Sequence, residues 1–124
     1  MSVPVSLERL GDEVARFGLW PYLVTVSGDG RPHAVSAPVT WDGTVFVGAA
    51  GRHSRSNAAD RPTAVTLLWP PYEPGGYSLI VDGSAAINAD DCLTVTPTTG
   101  VLHRTGPPRP GSGPNCTADC VPLT

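Results

Sequence analysis

Closely spaced turn signals divide the sequence into short segments, and they constrain the fold more than any other feature. Ser27–Gly30 and Asp42-Gly43 are rich in residues that tolerate a positive φ, and apolar and β-branched residues flank both of them. Short strands joined by tight turns pair antiparallel with their neighbours in sequence. The sequence therefore predicts a mainly β domain built from hairpins.

We predict six strands from these segments. Pro38 marks an edge or a bulge in the second strand, and Asp82-Gly83 is a candidate bulge in the fifth. Six strands in a chain of 124 residues favour a small barrel, because closure removes exposed sheet edges. The predicted strands are Tyr22–Val26, His33–Trp41, Thr44–Val47, Thr63–Trp69, Tyr77–Ile87, and a sixth, broken or bent near Pro97, that combines Cys92–Val95 with Gly100–His103.

Two short helices accompany the strands. Residues 7–17 place their apolar side chains on one helical face, with Ser6 as a plausible N-cap and Gly18 as a plausible stop. A second helix covers about residues 54–61, between the third and fourth strands. We assign residues 1–104 to one domain. Residues 105–124, rich in proline and glycine, are predicted to form a tail that packs on the barrel or on a dimer partner.

Charge and composition argue against several classes of protein. Charged residues make up 15% of the chain and its net charge is −3, which gives no global electrostatic reason to bind nucleic acid or an anionic membrane. No segment has the length and hydropathy of a membrane span or of a signal peptide. The three cysteines are an odd number, and Cys116 and Cys120 lack further zinc ligands nearby. We therefore predict a cytoplasmic protein without a metal site.

The stretch from Gly48 to Pro62 is the strongest candidate for a ligand site. Glycine and alanine open it, and a cluster of hydrogen-bond donors leads into the second predicted helix. One interpretation is a phosphate held at a helix start, where unpaired N–H groups favour anions. The other is an ordinary solvated connection with a capping serine. The residues alone leave both interpretations open.

The segment Leu23–His33 resembles the opening hairpin of the pyridoxamine 5'-phosphate oxidase-like split barrels. Trp41-Asp42-Gly43, the Gly/Ala-rich turn, Asn57 and Pro62 follow in the order that this family shows, and the resemblance covers about residues 20–87. It implies a six-stranded split β-barrel, the FMN-binding split barrel, that forms a homodimer with two flavin sites at the subunit interface.

The resemblance also implies the site residues. It places the cofactor phosphate on Arg52, His53, Ser54, Arg55 and Asn57, and the ring along the strand that holds Ser36, Ala37, Pro38, Val39 and Thr40. Many relatives have a lysine three residues before the asparagine, where this chain has Ser54.

The function implied is binding of FMN or a deazaflavin, with oxidoreductase activity on a small molecule. Large aromatic residues often belong to a core or an interface, but we predict that Trp69, Tyr72 and Tyr77 shape the substrate pocket. The alternative is a non-catalytic dimeric barrel that has lost tight flavin binding and carries haem or another apolar ligand.

Overall fold

The computed structural model describes residues 2–106, which form eight strands and two helices. Most of the predicted tail, with Cys116 and Cys120, lies outside these residues. In chain order the elements are β1 (Ser2–Pro4), α1 (Leu7–Phe17), β2 (Tyr22–Val26), β3 (Pro32–Ser36), β4 (Val39–Trp41), β5 (Phe46–Gly48), α2 (Arg52–Asp60), β6 (Val65–Trp69), β7 (Ser78–Ile87) and β8 (Leu93–His103).

The strands form one antiparallel sheet that curls into a barrel. The order of pairing is β3-β2-β6-β7-β8-β5-β4, with β1 attached to β8. The two ends of this order, β3 and β4, are halves of the single run Pro32–Trp41. The sheet therefore returns to the run from which it started, and six runs of strand form the barrel. The predicted fold class, a mainly β split barrel with short helices, is confirmed.

A bend at Ala37-Pro38 divides the predicted second strand into β3 and β4. The N–H of Ala37 donates to the carbonyl oxygen of Pro21 at 3.0 Å, and the N–H of Val39 donates to that of Leu19 at 2.9 Å. Pro38 stands between these two donors and has no N–H to contribute. The segment 19–21 thus continues the pairing of β2 with β3 past the bend.

Several strand boundaries differ from the sequence prediction by one or two residues, and two differences are larger. Strand β8 is continuous through Pro97, which is paired with Gly83 where the β7–β8 register shifts. A proline is tolerated there because the other edge of β8 pairs with β5 only at Leu93–Val95 and with β1 only at 101–103. Strand β1 was not predicted, since a three-residue strand shows no hydrophobic periodicity.

The two helices pack near opposite ends of the long β7–β8 hairpin. At one end, Leu10 of α1 is buried near Gly100, and the N–H of Val5 donates to the Gly100 carbonyl oxygen at 2.8 Å. At the other end, the guanidinium of Arg55 in α2 donates to the carbonyl oxygen of Asp91 at 3.3 Å. Neither helix is long and apolar enough to cross a membrane, and they are the only two helices within residues 2–106.

The space between the helices is an apolar core inside the barrel. Phe46 lies at its centre, with its ring centroid 4.5 Å from that of Trp41 and 5.6 Å from that of Trp69. Leu23, Leu67, Leu79 and Val81 point inward from β2, β6 and β7 and are almost completely buried. This packing fixes the positions of the strand ends that carry the candidate site.

Candidate functional site

The N-terminus of α2 has unpaired backbone donors. Gly51 is its N-cap and provides no side-chain acceptor, and the first turn contains no acidic residue. The N–H of Arg55 donates to the carbonyl oxygen of Gly51 at 3.0 Å, but the N–H groups of Arg52, His53 and Ser54 have no hydrogen-bond acceptor among residues 2–106. Three free donors and the positive end of the helix dipole favour an anion at this position.

Two side chains that can carry positive charge flank these donors. Arg52 and His53 are both exposed, and neither ion pair found in the described part of the chain involves Arg52. The imidazole of His53 lies beside that of His33 on β3, with ring centroids 6.3 Å apart. The helix start therefore combines backbone donors with a free guanidinium and two imidazoles.

Three other residues of the helix bind the rest of the protein. Ser54 is buried, with its Oγ 3.5 Å from Nδ1 of His33. Asn57 donates from Nδ2 to the Oγ1 of the fully buried Thr25 at 3.2 Å. Together with the bond from Arg55 to Asp91, these contacts attach α2 to β2, β3 and the β7–β8 turn. They determine the direction in which the free donors point.

Strand β4 lies beside the strand that leads into α2. Val39 is paired with Gly48, the last residue of β5, and a Cβ at Gly48 would lie only 2.9 Å from the carbonyl oxygen of Pro38. Glycine therefore permits the close approach of the two strands. Pro38 and Thr40 are exposed, whereas Val39 is buried and lines a small apolar cavity with Ala37, Ala49 and Ala50. The predicted ring-lining strand and the predicted phosphate segment are thus brought together.

The three predicted substrate-pocket residues lie elsewhere. Tyr72 and Tyr77 line a cleft beside the C-terminal end of α1, near the Ser78–His103 end of the β7–β8 hairpin. Trp69 is buried in the core, and its Nε1 donates to the carbonyl oxygen of Gly18 at 2.8 Å. Since α2 packs near the opposite end of this hairpin, these residues cannot complete the α2 site within one subunit.

Two residues of the site region were not among the predicted site residues. The sequence shows His33 only as a residue of a predicted strand. Closure of the barrel places its half-buried imidazole beside that of His53. Thr25 faces the core from β2, directly paired with His33. The alternation of Tyr22–Val26 places the polar Thr25 at an inward position. A buried polar side chain needs a hydrogen-bonding partner, and this signal could have identified the contact with Asn57.

The sequence itself has close relatives. No model of a known protein family matches it. Two curated mycobacterial proteins, the uncharacterized proteins Mb0449c of Mycobacterium bovis and MT0457 of Mycobacterium tuberculosis, are each 39% identical over 134 aligned positions, covering 94% of this chain and 93% of theirs. The chain belongs to their family.

Three solved structures share the fold. An F420 reductase aligns with a TM-score of 0.54 and 21% identity, over 66% of this chain and 88% of its own. A putative pyridoxamine 5'-phosphate oxidase from Listeria innocua aligns with a TM-score of 0.57 and 16% identity, over 77% of this chain and 97% of its own. An FAD binding protein from Mycobacterium smegmatis aligns with a TM-score of 0.57 and 17% identity, over 84% of this chain and 100% of its own. The split-barrel fold implied by the resemblance in the sequence is thereby confirmed.

Proposed function

We propose that this protein binds a phosphate-bearing flavin-type cofactor, FMN or a deazaflavin, at the start of α2, and that it is an oxidoreductase acting on a small molecule. The observation that carries the proposal is the uncapped N-terminus of α2, with its three unpaired N–H groups beside the exposed Arg52. The names of the similar structures, which include an F420 reductase and an FAD binding protein, support the same class of ligand.

Each residue of the site has a distinct role in this proposal. The first-turn N–H groups, Arg52 and His53 hold the phosphate, and Arg52 provides a planar pair of donors suited to it. Ser54, Arg55 and Asn57 position the helix, through the contacts described above. The exposed Pro38 and Thr40 line the ring, and the buried Val39 contributes only its backbone. The cofactor supplies hydride or electron transfer when bound, while the polypeptide orients it and limits access of water.

We also propose a homodimer, formed through an apolar row on the outer face of the barrel. Strand pairing places Tyr22, Leu68, Ile80 and Val101 side by side on four adjacent strands. Tyr22 is 44% exposed and the other three are half-buried. The neighbouring row is polar, since Thr66 donates to Asp82 at 2.6 Å. An apolar centre with a polar rim is the usual arrangement of a protein interface.

A visible-absorption titration tests cofactor binding. The purified protein is titrated separately with FMN and with a deazaflavin that carries a phosphate. We expect saturable binding of one of them, weakened by about 10- to 100-fold in Arg52→Ala, because a charge-assisted contact to the phosphate is lost. The matched control is Arg9→Ala, an exposed arginine on α1, which should bind like the unmodified protein.

The alternative function predicts a different result. The side chains of Ser54, Arg55 and Asn57 already have partners within the protein, which leaves fewer donors for a phosphate than the sequence indicated. A folded protein that gives flat titrations with both flavins, yet binds haem or another apolar ligand, would support the non-catalytic ligand-binding barrel and would refute the proposed cofactor site.

A further inference from the structure

Trp20 is the most exposed tryptophan of the described chain. Its exposed fraction is 67%, whereas Trp69 is 1% exposed and Trp41 is half-buried. Its indole makes no hydrogen bond to any of residues 2–106. Burial of a large aromatic side chain is strongly favourable, so an indole left in water is a candidate surface for a ligand or a partner.

Strand register places Trp20 directly opposite Pro38. Tyr22 is paired with Ser36, and the bonds from Ala37 to Pro21 and from Val39 to Leu19 continue the same register past the bend. The pair between these two bonds is Trp20 and Pro38. Both residues are exposed, whereas Pro21 and Ala37 beside them are buried. Trp20 and Pro38 therefore lie on the same outer face, next to each other.

The same face is continuous with the start of α2. Val39, next to Pro38, is paired with Gly48, and a Cβ at Gly48 would lie 2.9 Å from the Pro38 carbonyl oxygen. Only Ala49, Ala50 and Gly51 separate Gly48 from Arg52. Four residues span at most about 14 Å, and each of the two steps between neighbouring strands, from β5 to Pro38 and from Pro38 to Trp20, adds about 5 Å. Residues 48–51 are glycine or alanine, so no large side chain stands between Pro38 and the start of α2. A ligand held by its phosphate at α2 can thus extend across Pro38 toward the indole.

We infer that Trp20 stacks against the ring system of the cofactor and is a positioning residue of the site. The inference rests on the proposed function. It assigns a second contact to the same ligand, and in this contact Trp20 binds the ring and not the phosphate. A flat, weakly polar ring is the part of FMN or a deazaflavin that an exposed indole can cover, since aromatic faces attract each other in offset stacks. Residues 37–40 alone offer no aromatic surface for that contact.

The experiment compares FMN with riboflavin, which has the ring but lacks the phosphate. Where the titration above selects a deazaflavin, its dephosphorylated form takes the place of riboflavin. Affinities are measured by absorbance for the unmodified protein, Trp20→Ala, Trp20→Phe and Arg52→Ala. Leu7→Ala, an exposed apolar residue on α1, is the matched control. Tryptophan fluorescence is recorded in parallel, because a ring stacked on Trp20 quenches its emission.

We expect Trp20→Ala to weaken both ligands by about tenfold, whereas Trp20→Phe stays within about threefold. Arg52→Ala weakens only the phosphorylated ligand. Ligand quenching falls sharply in Trp20→Phe although absorbance still reports binding.

Two results would overturn the role of Trp20 while leaving cofactor binding intact: unchanged affinity in Trp20→Ala, or unchanged quenching in Trp20→Phe. A change in oligomeric state without a change in affinity would likewise assign the indole to a protein interface. If the unmodified protein binds neither ligand pair, the proposed cofactor site itself fails, and the role of Trp20 fails with it.

Discussion

At the scale of single residues, the polar side chains of α2 have two separate tasks. Ser54 and Asn57 face the barrel, where each has a hydrogen-bonding partner on β3 or β2, whereas Arg52 and His53 face solvent. The division follows from helix geometry, because residues three or four apart share a face. Asn57 therefore contributes to folding, and Arg52 is free to contribute to binding.

Asn57→Ala tests this division. The substitution leaves the buried hydroxyl of Thr25 without its donor, and we expect a loss of about 1–2 kcal/mol in the free energy of unfolding. Urea denaturation followed by circular dichroism measures it. Ser56→Ala, an exposed neighbour on the same helix, should change stability by less than about 0.5 kcal/mol. We expect FMN affinity to fall less in Asn57→Ala than in Arg52→Ala; a larger fall would place Asn57 on the phosphate instead.

At the scale of elements, the β4–β5 hairpin positions β4, the strand that we propose lines the cofactor ring, and Asp42 holds its turn. Oδ1 of Asp42 accepts hydrogen bonds from the N–H groups of Thr44 and Val45, both at 2.8 Å. The N–H groups of Val45 and Thr44 hold the pKa of the Asp42 carboxyl below its ordinary value of 3.8. Gly43, at φ 96°, completes a turn that other residues adopt with strain.

The lowered pKa of Asp42 gives a pH-dependent contribution to stability. Because the folded pKa lies below the unfolded one, the contribution is fully present above pH 3.8 and disappears as the pH falls through the folded pKa. Asp42→Ala should therefore be less stable than the unmodified protein at neutral pH, and the difference should shrink in acid. Asp42→Asn keeps an acceptor oxygen without a titrating group, so its stability should lie closer to the unmodified protein at pH 7. Chemical denaturation over a series of pH values measures both effects; a difference that is constant with pH would show that the carboxylate charge has no part in the turn.

At the scale of the whole molecule, the barrel separates its two possible ligand regions. The α2 site lies near one end of the β7–β8 hairpin, and the cleft of Tyr72 and Tyr77 lies near the other. A single subunit cannot bring them to one ligand. A ligand bound at α2 would therefore take its remaining contacts from other residues of the same subunit or from a second subunit.

Ile80→Lys tests the proposed dimer. Lysine in the centre of the apolar row places two like charges against each other across a symmetric interface. We therefore expect the dissociation constant of the dimer to rise at least tenfold relative to the unmodified protein. Sedimentation velocity over a concentration series measures this. Thr96→Lys, on the same outer face of β8 but away from the row, is the matched control. Equal dimerisation of the two variants would exclude the row from the interface, and a monomeric unmodified protein would refute the dimer.

Local signals in the sequence were strong enough to predict most of the elements. The amphipathic spacing of α1, the alternation in β2 and the Asp42-Gly43 turn each act over a few residues, and each was found at the predicted position. The interruption at Pro38 was predicted for the same reason, since the missing N–H is a property of the residue itself. Strand β1 and the continuity of β8 were not, because both depend on which neighbour pairs with each edge of β8.

The sequence by itself determined the fold class and the placement of donors at the start of α2, because hydrophobic period, turn residues and helix signals are encoded locally. Only the tertiary structure decided which donors are free. Closing the barrel set His33 against Ser54 and Thr25 against Asn57, left Arg52 exposed, and carried Tyr72 and Tyr77 away from α2. These outcomes depend on contacts between residues distant in sequence, for which no local pattern carries information.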